Sequence, residues 1–252
     1  MGAIDNRTRK LLEEYAARYE TTDFICGDPS WFMHQVEGKD NQEAMAFIAS
    51  CLSYGSRRQF MPRIQQLLHW AEGDIDHWVR SGRFAAHLPE GSKECFYRLY
   101  TVGHMHYFLR AYQQLMATYG TLGTYVREHS TDGLSAVASI CQFFSRQGIS
   151  VIIPKDTSSA CKRVCMFLRW MVRSGSPVDL GLWSDFIDRR TLIMPLDTHV
   201  LSQSCQLGLL QSRCATMSTA LRLTASLAEV FPDDPLRGDF ALFGYGVNNP
   251  DT

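Results

Sequence analysis

SSACKRVCMFLRWMVR at 158–173 and LIMPLDTHVLSQSCQL at 192–207 decide how this chain is read. In the first stretch Cys161, Cys165, Leu168 and Val172 recur at i, i+4, i+7 and i+11, the stripe of a helix facing a core. Lys162, Arg169 and Arg173 fall on the neighbouring stripe, which predicts a basic edge turned towards phosphates. A cation in a first helical turn opposes the helix dipole, so Lys162 costs a little stability and stands out as a functional candidate. In the second stretch Asp197 precedes the apolar-periodic run Thr198-His199-Val200-Leu201, the place of an N-cap. A capped carboxylate is rigid, which suits stabilisation of a cationic sugar. A lysine and an aspartate at two successive helix starts suit the cutting of a glycosidic bond. The amine attacks the sugar carbon, and the carboxylate deprotonates it or stabilises the charge. The same residues also read as a solvated basic face and a plain cap, and spacing alone leaves both readings open.

Working outward, helical periodicity dominates. Leu11, Leu12, Tyr15 and Tyr19 mark a first helix, and Ala44, Phe47, Ile48, Cys51 and Leu52 a second. Ile64, Leu67 and Leu68 mark a third, with Pro62 placed near its first turn. His104 to Gly120 forms a fourth that ends on a glycine cap. Leu134, Val137, Ala138, Cys141 and Phe144 mark a fifth, the two helices above follow, and Ala220–Val230 and Asp239–Tyr245 close the series. Asp239 is read as an N-cap, and the segment 175–190 as a turn plus a short helix. No alternation of period two lasts long enough for a sheet. The expected class is all-α, many short helices around one core.

The 252 residues carry a formal net charge of −1. A purely electrostatic nucleic-acid binder is more basic, so any DNA contact must come from a local patch. The eight cysteines are scattered without a C-x2-C pair, and Cys161 and Cys165 read as small core residues rather than half of a metal site. No metal site is expected. MGAIDNRTRK at the start has no apolar run, no stretch reaches membrane-spanning length, and a reduced, cytoplasmic, monomeric protein is expected.

LDTHV at 196–200 is similar to the VDTH motif of the helix-hairpin-helix/GPD DNA glycosylases, the endonuclease III superfamily. In that family the aspartate is the catalytic carboxylate, and a hairpin of the form LPGVGRKTA ends in the lysine that forms a Schiff base. SSACKRV at 158–164 takes the hairpin's place, so Lys162 resembles that lysine and Asp197 that aspartate. SACKR at 159–163, MFLRWMVR at 166–173, VDLGLW at 178–183 and PLDTHV at 195–200 resemble a bacterial branch of the superfamily more closely. DDPLRGDFALFGYGV at 233–247 and SYGSRRQ at 53–59 extend the likeness over most of the chain. Ser158 and Ala160 stand where the family hairpin has glycines, which elsewhere permit close approach to a phosphate. Only Cys205 and Cys214 lie beyond the DTH motif, so no iron–sulfur cluster is expected.

The resemblance implies a two-lobed helix-hairpin-helix/GPD-like fold. Its central helical lobe would span about 40–172, and its second lobe 1–39 with 173–252. Lys162 and Asp197 would share the cleft. The implied activity is base-excision repair: removal of a damaged base from double-stranded DNA after flipping, with strand cleavage made possible by the lysine. DNA contacts are expected from Ser158, Ser159, Ala160, Arg163, Arg169 and Arg173, and from Arg57, Arg58 and Gln59 after the second helix. Tyr54, Arg58 or Gln59 would fill the gap left by the flipped base, and the stretch reads equally well as a plain basic loop. His199 and Trp183 are further candidates, for proton transfer and base stacking. In Phe243-Gly244-Tyr245-Gly246 the glycines read as allowing close helix packing, since no P-loop lysine follows. Two other classes remain: a non-catalytic nucleic-acid-binding module on the same scaffold, and a helical domain that docks a protein partner.

Overall fold

The structure, a computed structural model, describes residues 4–249. Met1 to Ala3, part of the segment read for a targeting signal, lie outside the described residues, as do 250–252. With 61% of residues in helices and 2% in strands, the protein is all-α. In chain order the helices are α1 (Asn6–Tyr19), α2 (Lys39–Leu52), α3 (Arg57–Trp70) and α4 (Ile75–Arg80). A two-stranded antiparallel hairpin, β1 (Cys95–Tyr97) and β2 (Tyr100–Thr101), pairs Cys95 with Thr101 and Tyr97 with Tyr100. Then come α5 (Val102–Tyr119), α6 (Leu122–His129), α7 (Gly133–Arg146), α8 (Lys162–Val172), α9 (Thr198–Gln206), α10 (Met217–Ala228) and α11 (Arg237–Asn248). Among the described residues no helix is long and apolar enough to cross a membrane.

The chain divides into two compact units. One gathers the residues through Cys26, Thr131–Val137 and everything from Thr157 onward; the other is Gly27–Ser130 with Ala138–Asp156. α8 falls in the unit of the terminal segments, where the partners of its arginines lie.

The second unit is built on α2 and α5. Phe47, Phe108, Tyr112 and Phe144 pack ring against ring in its core, all fully buried. Buried Glu43 of α2 accepts hydrogen bonds from the Leu122 and Gly123 N–H groups, which are unpaired donors at the start of α6. Thr101 and His104 form a reciprocal capping box that starts α5, and Gly120 (φ 83°) ends it, as the sequence predicts. Pro62 lies not in the first turn of α3 but well inside it, because the helix begins at Arg57. Its missing N–H removes one intrahelical bond.

In the first unit α11 packs on α1 and α9. A Cβ at Gly244 would stand 2.3 Å from the Tyr19 ring, so only glycine permits that approach. Asp239 does not cap α11. The helix starts two residues earlier, and the Asp239 carboxylate turns to Arg169. No α-helix forms over 175–190; the segment is turns, followed by a 3-10 turn at Arg189–Thr191.

Candidate functional site

An extended, buried stretch, Leu192-Ile193-Met194 followed by Leu196, leads into α9 and fixes where it starts. The Met194 N–H donates to the Thr224 hydroxyl at 2.9 Å, tying this stretch to α10. Asp197 then caps α9, its Oδ1 accepting from the Val200 N–H at 2.8 Å. Its other oxygen, Oδ2, lies 3.8 Å from Lys162 Nζ at the start of α8, and the side chains are 37% and 31% exposed. The two residues singled out from the sequence are therefore neighbours, paired by charge and open to solvent.

The turn before Lys162 is held by sulfur. Cys161 adopts the left-handed conformation (φ 47°, ψ 36°), which costs a residue other than glycine on the order of 1–3 kcal/mol. Its thiol donates to the Ser159 carbonyl at 3.4 Å, and the Cys165 thiol donates to the Ala160 carbonyl at 3.5 Å. Burial pushes the Cys165 thiol well up, so it stays a protonated donor. These cysteines are core residues, as expected, with a second task in fastening the turn. Ser158 and Ser159 are exposed, Arg163 is half-buried and Ala160 is buried. No side chain caps the start of α8. Turns, not a helix, precede it: α7 ends at Arg146, fifteen residues before α8 begins.

The basic edge predicted for α8 ends at Lys162. Arg169 and Arg173 are 3% and 1% exposed, and carboxylates already surround them, so neither is available to a phosphate. Arg169 Nε donates to Asp179 Oδ1 at 3.2 Å, and its Nη1 to Asp239 Oδ2. Arg173 grips Asp234 through Nε and Nη2 at 2.9 and 2.8 Å, Asp179 through Nη1 and Glu20 through Nη2 at 2.5 Å. The reason is that every residue of α8 from Val164 to Val172 except Arg169 is apolar, so the helix buries all round and takes its arginines with it. A buried guanidinium must be matched by hydrogen-bonded carboxylates.

The VDLGLW segment supplies one of them. The Leu180, Gly181 and Trp183 N–H groups donate to the Trp170 and Met171 carbonyls, satisfying acceptors at the end of α8 and setting Asp179 under both arginines. Gly181 (φ 65°) is required there, since a Cβ would lie 2.8 Å from Ser174 Cα. Trp183 is 3% exposed and packs edge-on to Phe167 at 5.2 Å, so it is core and not a base-stacking surface. His199 is exposed in the first turn of α9.

Asp179, Asp234 and Glu20 have no place in the sequence reading as partners of arginine. A usable signal exists for Asp179: an acid inside a run otherwise apolar. Burial pushes the Asp239 carboxyl above its ordinary value; the Arg169 guanidinium opposes this, Asp197 adds to it, and Lys162 opposes it.

In the second unit, Tyr54 and the start of α3 form a surface of their own. The Arg98 guanidinium lies 4.9 Å over the Tyr54 ring, and the Tyr97 hydroxyl donates to the Tyr54 carbonyl. Arg57 pairs with Asp28 at 3.3 Å, while Arg58 and Gln59 are exposed. Among the described residues no group of three or more His, Cys, Asp or Glu is placed to hold a metal ion.

A family model described as "Protein of unknown function (DUF2400)" matches residues 28–248. Comparison with curated proteins gives no match, and comparison with solved structures gives none either.

Proposed function

We propose that this chain, which belongs to the DUF2400 family, is a DNA glycosylase with lyase capacity, built on the two-lobed helix-hairpin-helix/GPD scaffold that its motifs resemble. The observation that carries the reading is the solvent-open pair of Lys162 Nζ and Asp197 Oδ2, 3.8 Å apart at two helix starts. One sugar can bridge groups held that close.

In this reading the neutral Lys162 amine forms a bond to C1′ of a flipped nucleotide. The C1′–N bond to the base breaks, and the base leaves with the electron pair and takes up a proton. Positive charge grows on the sugar as that bond lengthens, and the Asp197 carboxylate, held rigid by the Val200 N–H, stabilises it. Ring opening leaves an iminium between Nζ and C1′. Loss of a C2′ proton then expels the 3′ phosphate. Double-stranded DNA is the partner, with Arg163 and the start of α8 facing a phosphate.

The test is a panel of lesion-bearing and abasic duplexes scored for base release, nicking and covalent capture by borohydride. Capture is expected with the native chain and lost in Lys162→Ala. Absence of base release and of capture across the panel would overturn the reading.

A further inference from the structure

We propose that the second unit binds a small organic acid, an apolar body with a carboxylate or phosphate head, in the cavity between α5 and the turn that ends α7. Lys162 and Asp197 have no part in this site.

The cavity measures about 340 Å³, a size that suits a small molecule. Its walls come from 104–114 and 147–152, so it lies wholly inside one unit. His104, Tyr107, Ala111 and Gln114 recur at i, i+3, i+7 and i+10, one face of α5. The opposite wall is set by how α7 ends. The Gly148 N–H donates to the Ser145 carbonyl and the Ile149 N–H to the Phe144 carbonyl, the two bonds of a Schellman turn. Gly148 supplies the positive φ of 77° which that turn requires. Backbone bonds therefore hold this wall in place before a ligand arrives, which lowers the cost of binding.

The floor is apolar: Ala111, Ile149 and Ile152 line it and are buried. At the mouth Tyr107 and Val151 are 41% and 49% exposed, so apolar surface stands in water around a concavity. Apolar surface gathered in this way marks a place for something to cover.

The polar groups of the lining select what that is. The Thr101 N–H donates to His104 Nδ1 at 3.2 Å, so the ring proton sits on Nε2, which is left to donate. The side-chain amides of Gln114 and Gln147 have no partner among the described residues. Arg110 brings a full positive charge, and no carboxylate lines the cavity. Glu90, outside the lining, lies 3.8 Å from Arg110 Nη1, and the two side chains are 56% and 64% exposed. So exposed a pair is weak, and a ligand anion can share the guanidinium. Spare donors and a cation above an apolar floor fit an apolar body that carries anionic oxygens.

The test is a titration of the full chain, followed by nitrogen-15 amide NMR, with benzoate, phenyl phosphate and the neutral benzyl alcohol. The amides of Gly148, Ile149 and Val151 should shift and saturate with at least one anion, at a dissociation constant of about 1 mM or below. The tighter anion identifies the head group. Arg110→Met keeps the stem of an exposed side chain and removes its charge. It should weaken that anion about tenfold, the effect of one lost charge-assisted hydrogen bond, and leave benzyl alcohol unchanged. The proposal is overturned if neither anion saturates, if the shifts fall outside the cavity walls, if benzyl alcohol binds as tightly as the better anion, or if Arg110→Met binds that anion as the native chain does.

Discussion

The two ends of α8 present the same chemistry in opposite settings. At its start Lys162 faces Asp197 across 3.8 Å, with about a third of each side chain in water. At its far end Arg169 and Arg173, almost wholly buried, are shared among Asp179, Asp234, Asp239 and Glu20. An exposed pair contributes about 0–1 kcal/mol to stability, whereas removing one member of a buried set costs about 3–5 kcal/mol. Water decides which cations hold the fold and which are left to act on something else.

The comparison breaks first at Arg173. Arg173→Met would leave Asp179, Asp234 and Glu20 buried with too little positive charge, and urea denaturation should record a loss of about 3–5 kcal/mol. A loss below about 1 kcal/mol would place the network on a par with the exposed pair.

Next in size is Asp197→Asn. Asparagine caps nearly as well as aspartate, so denaturation midpoints should barely move, by less than about 1 kcal/mol. Base release in single-turnover assays should fall about 10²–10³-fold, because the charge facing the sugar is gone. A stability loss with base release intact would return Asp197 to a structural cap.

The acid limb of stability sharpens the contrast further. Burial pushes Glu20 up, but the Arg173 charge and hydrogen bonds from Arg173, Ser176 and Arg237 bring it below its ordinary value. A carboxylate lowered in the folded state contributes stability that is complete above its unfolded value and is lost as pH falls through the folded one. Between roughly pH 5 and 3 the native chain should therefore lose stability more steeply than Glu20→Gln. Parallel curves of urea midpoint against pH would detach Glu20 from the network.

The smallest effect on stability belongs to Lys162→Ala. It removes a half-exposed cation from a helix start, where cations are unfavourable, so stability should change by less than about 1 kcal/mol in either direction. A larger loss would make Lys162 a structural residue like Arg173.

Much of the helical frame was legible in the sequence. α1, α5, α7 and α9 announce themselves because each exposes one face and buries another, and a stripe survives in such a sequence. α4, with six residues, and α6, with eight, are too short to display a period, and the hairpin at 95–101 is shorter than any alternation test. α8 misled for a different reason. Periodicity finds the residues that must be buried and takes the others as exposed, but MFLRWMV is apolar on every face. Arg169 within it and Arg173 at its end, like Asp179 within VDLGLW, were signs of buried charge rather than of a basic surface. Asp197 was legible because a cap is fixed by its helix start without knowledge of what packs above it, and Lys162 because a cation in a first turn stands against the helix dipole.

The packing of Gly244 against Tyr19 has a consequence for how the chain is made. α1 leaves the ribosome ahead of every other helix of the described residues, and the helix it packs on, α11, comes more than two hundred residues later. The unit formed mainly by Gly27–Ser130 lies in a nearly continuous stretch and can close while synthesis continues. The unit holding Lys162 and Asp197 cannot close until α11 has emerged, because its contacts span almost the whole sequence. Translation therefore completes the second unit before the site, so a chain stalled before α11 carries both residues without the helix that anchors Arg169.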